Sequence, residues 1–257
     1  MTWLLALACT APDANSDAPW TWEQTWADEF DVDGSPDPEN WAYDIGGHGW
    51  GNEQLEYNTD RPENVRVKDG FLVINALQED YEGNAWTSAR IKTQGLFSQE
   101  QGRFEARIQL PPGRGIWPAF WMLGDNFESA GWPDCGEIDI LEARGAEPYT
   151  TNAALHGPGY SGGSSLYDAL TVEDDLQDAS HIYAVEWDQD HIAWFLDDQL
   201  VQKVHAGQVG TWVFDHEFFM ILNVAVGGTY GGPPDDSTPS DSRMFVDYVR
   251  VYQRVVE

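Results

Sequence analysis

GRFEARIQLP, residues 102–111, decides the fold class. Phe104, Ala106, Ile108 and Leu110 fall on one side of an extended chain, and Arg103, Glu105, Arg107 and Gln109 on the other. A period of two is the mark of a half-buried strand. FLVINAL (71–77) is apolar on both faces, as a strand inside a two-sheet sandwich requires. HIYAVEW (181–187) and HIAWFLDD (191–198) are joined through Asp188, Gln189 and Asp190, which suits a hairpin. FFMILNVAVGG (218–228) and MFVDYVRVYQ (244–253) add two more strands, and others fall near 64–67, 87–97, 117–123, 135–142 and 151–156. No segment sustains a 3.6-residue period. The expected fold is all-β, a two-sheet antiparallel β-sandwich of the jelly-roll type. Residues 157–179 and 227–242 read as long loops, rich in Gly with Ser, Pro or acidic residues.

Composition narrows the function. Among 257 residues, 44 are acidic and 13 basic, a net charge of -31. Nucleic acid needs a Lys/Arg patch and is excluded as a partner. Like-charge repulsion disfavours sulfated or uronic polymers, so a neutral substrate fits best. The 13 Trp residues outnumber Phe or Tyr, which suits stacking against the flat faces of sugars as well as core packing. Two cysteines, Cys9 and Cys135, form neither a disulfide framework nor a zinc set. MTWLLALACT resembles a bacterial lipoprotein export signal ending at Cys9, although it has no Lys or Arg before its apolar run. The polar stretch that follows reads as a tether. Residues 1–20 are therefore expected to be an export segment and tether, and 21–257 one catalytic domain, monomeric, secreted or lipid-anchored at the cell envelope.

GEIDILEARG, residues 136–145, carries the candidate chemistry. Glu137 and Asp139 are two apart in a strand and must share a face. Glu142 lies five residues from Glu137, so a regular strand turns it to the opposite face. One β-bulge between Asp139 and Glu142 brings it back. Two carboxylates on one face can hydrolyse a glycoside: one attacks the anomeric carbon, the other protonates the leaving oxygen and then activates water. The residues alone leave open which Glu attacks.

Eight motifs in order resemble glycoside hydrolase family 16, in its laminarinase (endo-β-1,3-glucanase) branch. They are DEF (28–30), GWGNEQLEYNTDRPENV (49–65), TSARIKT (87–93), GRFEARIQLPPGRGIWPAFWMLG (102–124), WPDCGEIDILEARG (132–145), LHG (155–157), ILNVAVGG (221–228) and VDYVRVYQ (246–253). The resemblance implies a jelly roll with an open cleft on its concave sheet. It implies that the enzyme is a retaining endo-hydrolase of β-1,3- or mixed β-1,3/1,4-glucan, with Glu137 as nucleophile, Asp139 as its assistant and Glu142 as acid/base. Asn52, Arg90, Trp117, Trp121, His156 and Asn223 are its implied sugar contacts. Trp50 and Trp132 are weaker candidates; Arg90 reads equally as half of an internal salt bridge, and His156 as a structural histidine. Gln54 and Glu56 stand where family members more often have Glu and Gln. No cofactor is implied for catalysis, but a structural calcium is, at Glu29, Gly70 and Asp247. The alternatives are a non-catalytic glucan-binding jelly roll, or the same catalysis on another neutral polymer such as agarose.

Overall fold

The structure, a computed structural model, describes residues 20–256; the export segment, Cys9 and most of the tether lie outside them. In chain order the strands are β1 (Trp20–Asp28), β2 (Ala42–Tyr43), β3 (Glu56–Asn58), β4 (Val65–Lys68), β5 (Phe71–Tyr81), β6 (Asn84–Ser88), β7 (Arg90–Lys92), β8 (Gly102–Gln109) and β9 (Ile116–Gly124). They continue with β10 (Glu137–Glu142), β11 (Thr150–His156), β12 (Leu166–Thr171), β13 (His181–Trp187), β14 (His191–Leu196), β15 (Gln199–His205), β16 (Phe218–Val226) and β17 (Asp241–Val256). Among the described residues helix is confined to single turns such as α1 (Phe127–Ala130) and α2 (Gly228–Gly231).

Two sheets form. One has seven strands in the order β12-β11-β10-β9-β16-β7-β2. The other has ten, running β15-β14-β13-β8-β17-β5-β6-β3, with β1 added to β17 and β4 to β5. Pairing is antiparallel throughout, except that β3 runs parallel to β6. The period-two reading of GRFEARIQLP holds: Phe104, Ala106 and Ile108 are fully buried, and Leu110 nearly so. They join Phe120, Met122, Ile138, Leu222 and Val224 from the facing sheet in one core. Leu72 through Ala76 are buried on both faces, and so is every residue of β16. Burial of such side chains contributes about 1.5–3 kcal/mol each, which fixes the register of both sheets.

The structure corrects one expectation. The supposed loop 157–179 contains β12, paired with β11 from Leu155↔Leu166 to Thr150↔Thr171. β12 is an edge strand with only Leu166 and Leu170 partly covered, so it shows little apolar alternation. The loop 227–242 ends where β17 begins and contains α2.

Candidate active site

The outer face of the seven-stranded sheet is organised in cross-strand rows. The first carries His156 and Glu137, then Leu123 and Phe219. The second runs Tyr167, Ala154, Asp139, Trp121, Ile221, Lys92. The third runs Ala169, Asn152, Glu142, Ala119, Asn223, Arg90. Directly paired residues project from the same face of a sheet. The rows therefore set which side chains meet.

Glu142 belongs to this face because β10 is bulged. Asp139 pairs with Trp121 and Leu141 with Phe120, so Ile140 is an extra residue with no partner on β9. The β11 side shows the same break between Asp139 and Glu142. Ile138, Ile140 and Leu141 all enter the core, while Glu137, Asp139 and Glu142 face outward. If the same six residues alternated without a bulge, Glu142 would turn inward, where an unpaired carboxylate is costly.

Each carboxylate has a named partner. Trp132 Nε1 donates to Glu137 Oε2 at 2.7 Å, and Trp117 Nε1 donates to Glu142 Oε1 at 3.0 Å. His156 Nε2 lies 3.0 Å from Asp139 Oδ2 and 3.8 Å from Glu137 Oε1. The backbone N–H of Gly162 donates to His156 Nδ1 at 3.1 Å. Accepting at Nδ1 places the ring proton of neutral His156 on Nε2, facing the two carboxylates. These donors do not offset the crowding. Burial, then the charge of Asp139, raises Glu137 against the opposing effects of His156 and Trp132. Burial pushes Asp139 up. Burial, then the charges of Asp139 and Glu137, lifts Glu142 well above the usual carboxylate range. Such a cluster holds protons at neutral pH, which a general acid requires.

The neighbouring candidates sort into distinct tasks. Arg90 lies between the rings of Trp50 and Trp121, at 5.1 and 4.7 Å. Its Nε sits 3.0 Å from Asp44 Oδ2, and Lys92 Nζ takes the other oxygen at 2.6 Å. Arg90 thus braces two indoles and is itself ion-paired. Burial lowers its pKa, and the charges of Asp44, Glu137 and Glu56 oppose that in decreasing order. Asp44 went unnoticed in the sequence, although a cation among apolar strand residues signals the need for such a partner. Trp121 Nε1 donates to Asn223 Oδ1 at 2.8 Å. Trp117 is only 7% exposed, so its work here is the N–H aimed at Glu142 rather than an open stacking face. Trp132 is 46% exposed and does present a face. Trp50 is held at φ 49° between Gly49 and Gly51, a left-handed run uncommon for an aromatic residue. Asn52 is at the rim, where its carbonyl accepts the Thr229 N–H at 2.8 Å.

Glu56, on β3, is fully buried against the end of β16. Its Oε2 accepts the Val226 N–H at 2.8 Å, while Oε1 has no partner. Burial raises it to about 7.

Among the described residues, Glu137, Asp139 and His156 also form a compact set of metal-type ligands. Gly162 holds the His156 nitrogen that faces the carboxylates in its protonated form, which disfavours a metal there. Glu29, Gly70 and Asp247 lie on or beside the ten-stranded sheet. Glu29 receives Arg250 on both oxygens at 2.8 Å, and Asp247 receives Arg107 at 2.5 Å. Both carboxylates already neutralise a guanidinium, so as arranged this donor set does not fit a calcium ion.

Residues 50–250 match the glycosyl hydrolases family 16. The β-glucanase of Rhodothermus marinus is 44% identical over 98% of this chain and 92% of its own length. The catalytic domain of an endo-1,3-β-glucanase (laminarinase) from Thermotoga petrophila superposes with a TM-score of 0.87 at 46% identity, over 91% of this chain and 98% of that one. The endo-β-1,3-glucanase of Pyrococcus furiosus gives 0.88 at 42% identity, over 92% of this chain and 96% of that one.

Proposed function

The chain belongs to the glycosyl hydrolases family 16, and from that premise we propose that it is a retaining endo-hydrolase of β-1,3-glucan or mixed β-1,3/1,4-glucan. One observation carries the reading: a single bulge at Ile140 puts three carboxylates in successive rows of one open face. Glu137 attacks the anomeric carbon and forms a glycosyl ester, while Glu142 gives its proton to the bridging oxygen. Water then enters, Glu142 takes its proton, and the ester is cleaved. Glu137 is ionised at the moment of attack, and the Trp132 N–H and the His156 proton favour that form. Asp139, between the two, has its Oδ2 3.0 Å from His156 Nε2, so its charge sits beside that ring and next to Glu137. Trp117 orients Glu142 toward the bridging oxygen.

The test is release of reducing ends from laminarin, lichenan, curdlan and agarose, with the anomer formed read by proton NMR. We expect hydrolysis of laminarin with retained β-configuration. Release from none of the four polymers overturns the enzyme in favour of a glucan-binding protein, and release from agarose alone overturns the substrate.

The enzyme acts as a monomer, outside the cell or anchored there by a lipid on Cys9. Mass spectrometry of the exported chain tests the lipid. Because Glu29 and Asp247 already face guanidinium groups, millimolar calcium should leave Tm unchanged; a rise in Tm that Asp247→Asn abolishes would restore the calcium site.

A further inference from the structure

On the Glu142 side of the site, one amide joins three elements. Asn152 Nδ2 donates to the backbone carbonyl of Glu142 at 3.2 Å and to the hydroxyl of Tyr230. The Tyr167 hydroxyl donates to Asn152 Oδ1. Tyr230 comes from α2 and Tyr167 from β12, so the 227–242 loop and the edge strand are both tied to the catalytic strand. The Tyr230 ring lies 5.1 Å from Trp117, and Arg144 sits 4.2 Å from its centre.

Tyr167 differs from its companions in being open. It is 48% exposed, while its hydroxyl is already engaged by Asn152. An aromatic ring tethered at its polar end and bare on its face is a stacking platform with little entropy left to lose on binding. The row places it. Tyr167 pairs with Ala154, and Ala154 with Asp139. Two strand spacings are roughly 10 Å, and the intervening Ala154 leaves the space above it clear. That span suits two sugar units, one over Ala154 and the next over Tyr167.

The direction follows from which carboxylate each flank accompanies. Tyr167 and Tyr230, on the β12 side, are tied through Asn152 to the backbone of Glu142, and the Trp117 ring that donates to Glu142 lies against Tyr230. The nucleophile meets the sugar being transferred, and the acid/base meets the oxygen of the departing one.

We propose that Tyr167 is the stacking platform for the second glucosyl unit on the leaving-group side, held in place by Asn152 and Tyr230. The proposal rests on the β-glucanase reading above. Its test compares two substrates for the wild type, Tyr167→Ala and Tyr167→Phe. One is a 4-nitrophenyl laminarioligosaccharide, whose leaving group is a single ring; the other is laminarihexaose. On the hexaose we expect Tyr167→Ala to lose about tenfold in kcat/KM, mainly through KM, as expected for one aromatic stack. Release of 4-nitrophenol should stay within about twofold, and Tyr167→Phe, which keeps the ring but loses the Asn152 tether, should fall between the wild type and Ala on the hexaose, within about threefold of the wild type. Equal losses on the two substrates, no loss on either, or a Phe variant as impaired as Ala each overturn the proposal. A wild type inert on both substrates overturns the glucanase reading itself, and this assignment with it.

Discussion

The outward faces of the two sheets use the same alternation to opposite ends. On the ten-stranded sheet, Arg103 lies between Glu105 and Glu186 at 2.7 and 2.9 Å, Arg107 meets Asp247, and Arg250 clasps Glu29. Each of these arginines has an acid beside it. On the seven-stranded sheet, β10 places three acids in successive rows, and the nearest arginine is committed to Asp44. Two indole N–H groups and one imidazole face them instead. A charged strand face can therefore be at rest or under electrostatic tension. Which it is depends on what the neighbouring strands present, not on how acidic the strand is.

Replacing a catalytic acid tests that contrast most severely. Glu142→Gln should reduce kcat by about 10²–10⁴ on laminarin, yet make the protein more stable in alkali. A carboxyl whose folded pKa lies above its unfolded one binds more protons when folded, so its contribution to stability falls as pH rises between the two values. For Glu137 that window runs from 4.5 to about 8. Thermal melts should show Glu137→Gln and Glu142→Gln above the wild type at pH 9 and level with it at pH 4. A destabilised variant at pH 9 breaks the comparison.

Removing a donor is the next test. His156→Ala should cost about 10- to 100-fold in kcat/KM, the worth of a hydrogen bond to a charged group. Without His156, Glu137 rises further, so the acid limb of the pH–rate profile should move to higher pH. Trp132→Phe removes one N–H from Glu137 and should shift the limb the same way, with a loss of about tenfold. The smallest effect belongs to the other sheet. Arg107→Met and Asp247→Asn break a partly exposed pair and should change stability by at most about 1 kcal/mol. Their kcat on laminarin should not change.

The sequence disclosed the sandwich because its central strands bury one face or both, and alternation in GRFEARIQLP or solid apolarity in FLVINAL registers that burial directly. β12 was hidden for the converse reason: an edge strand reading LYDALT has little to bury. The bulge was legible as a requirement, since Glu142 had to be outward while Ile140 and Leu141 had to be inward. Asp44, Asn152, Tyr167 and Tyr230 were not legible. They reach the site through pairings across strands far apart in the chain, and nothing local in the sequence marks them. Trp117 was legible as a site residue, but its N–H donated to Glu142 was not, because periodicity assigns a face and not the direction of an N–H.

The Ile140 bulge has a consequence for how such a site can change. A strand sorts residues by parity, odd to one side and even to the other. Glu137 and Asp139 agree in parity; Glu142 does not, and only an odd number of insertions reconciles them. No substitution can do this. Exchanging Ile140 for another apolar residue leaves the count intact, whereas losing that one codon restores regular alternation, with all three acids still on one face but Glu142 drawn one residue closer to Glu137. The geometry of the pair is thus encoded in a count of residues rather than in their identities.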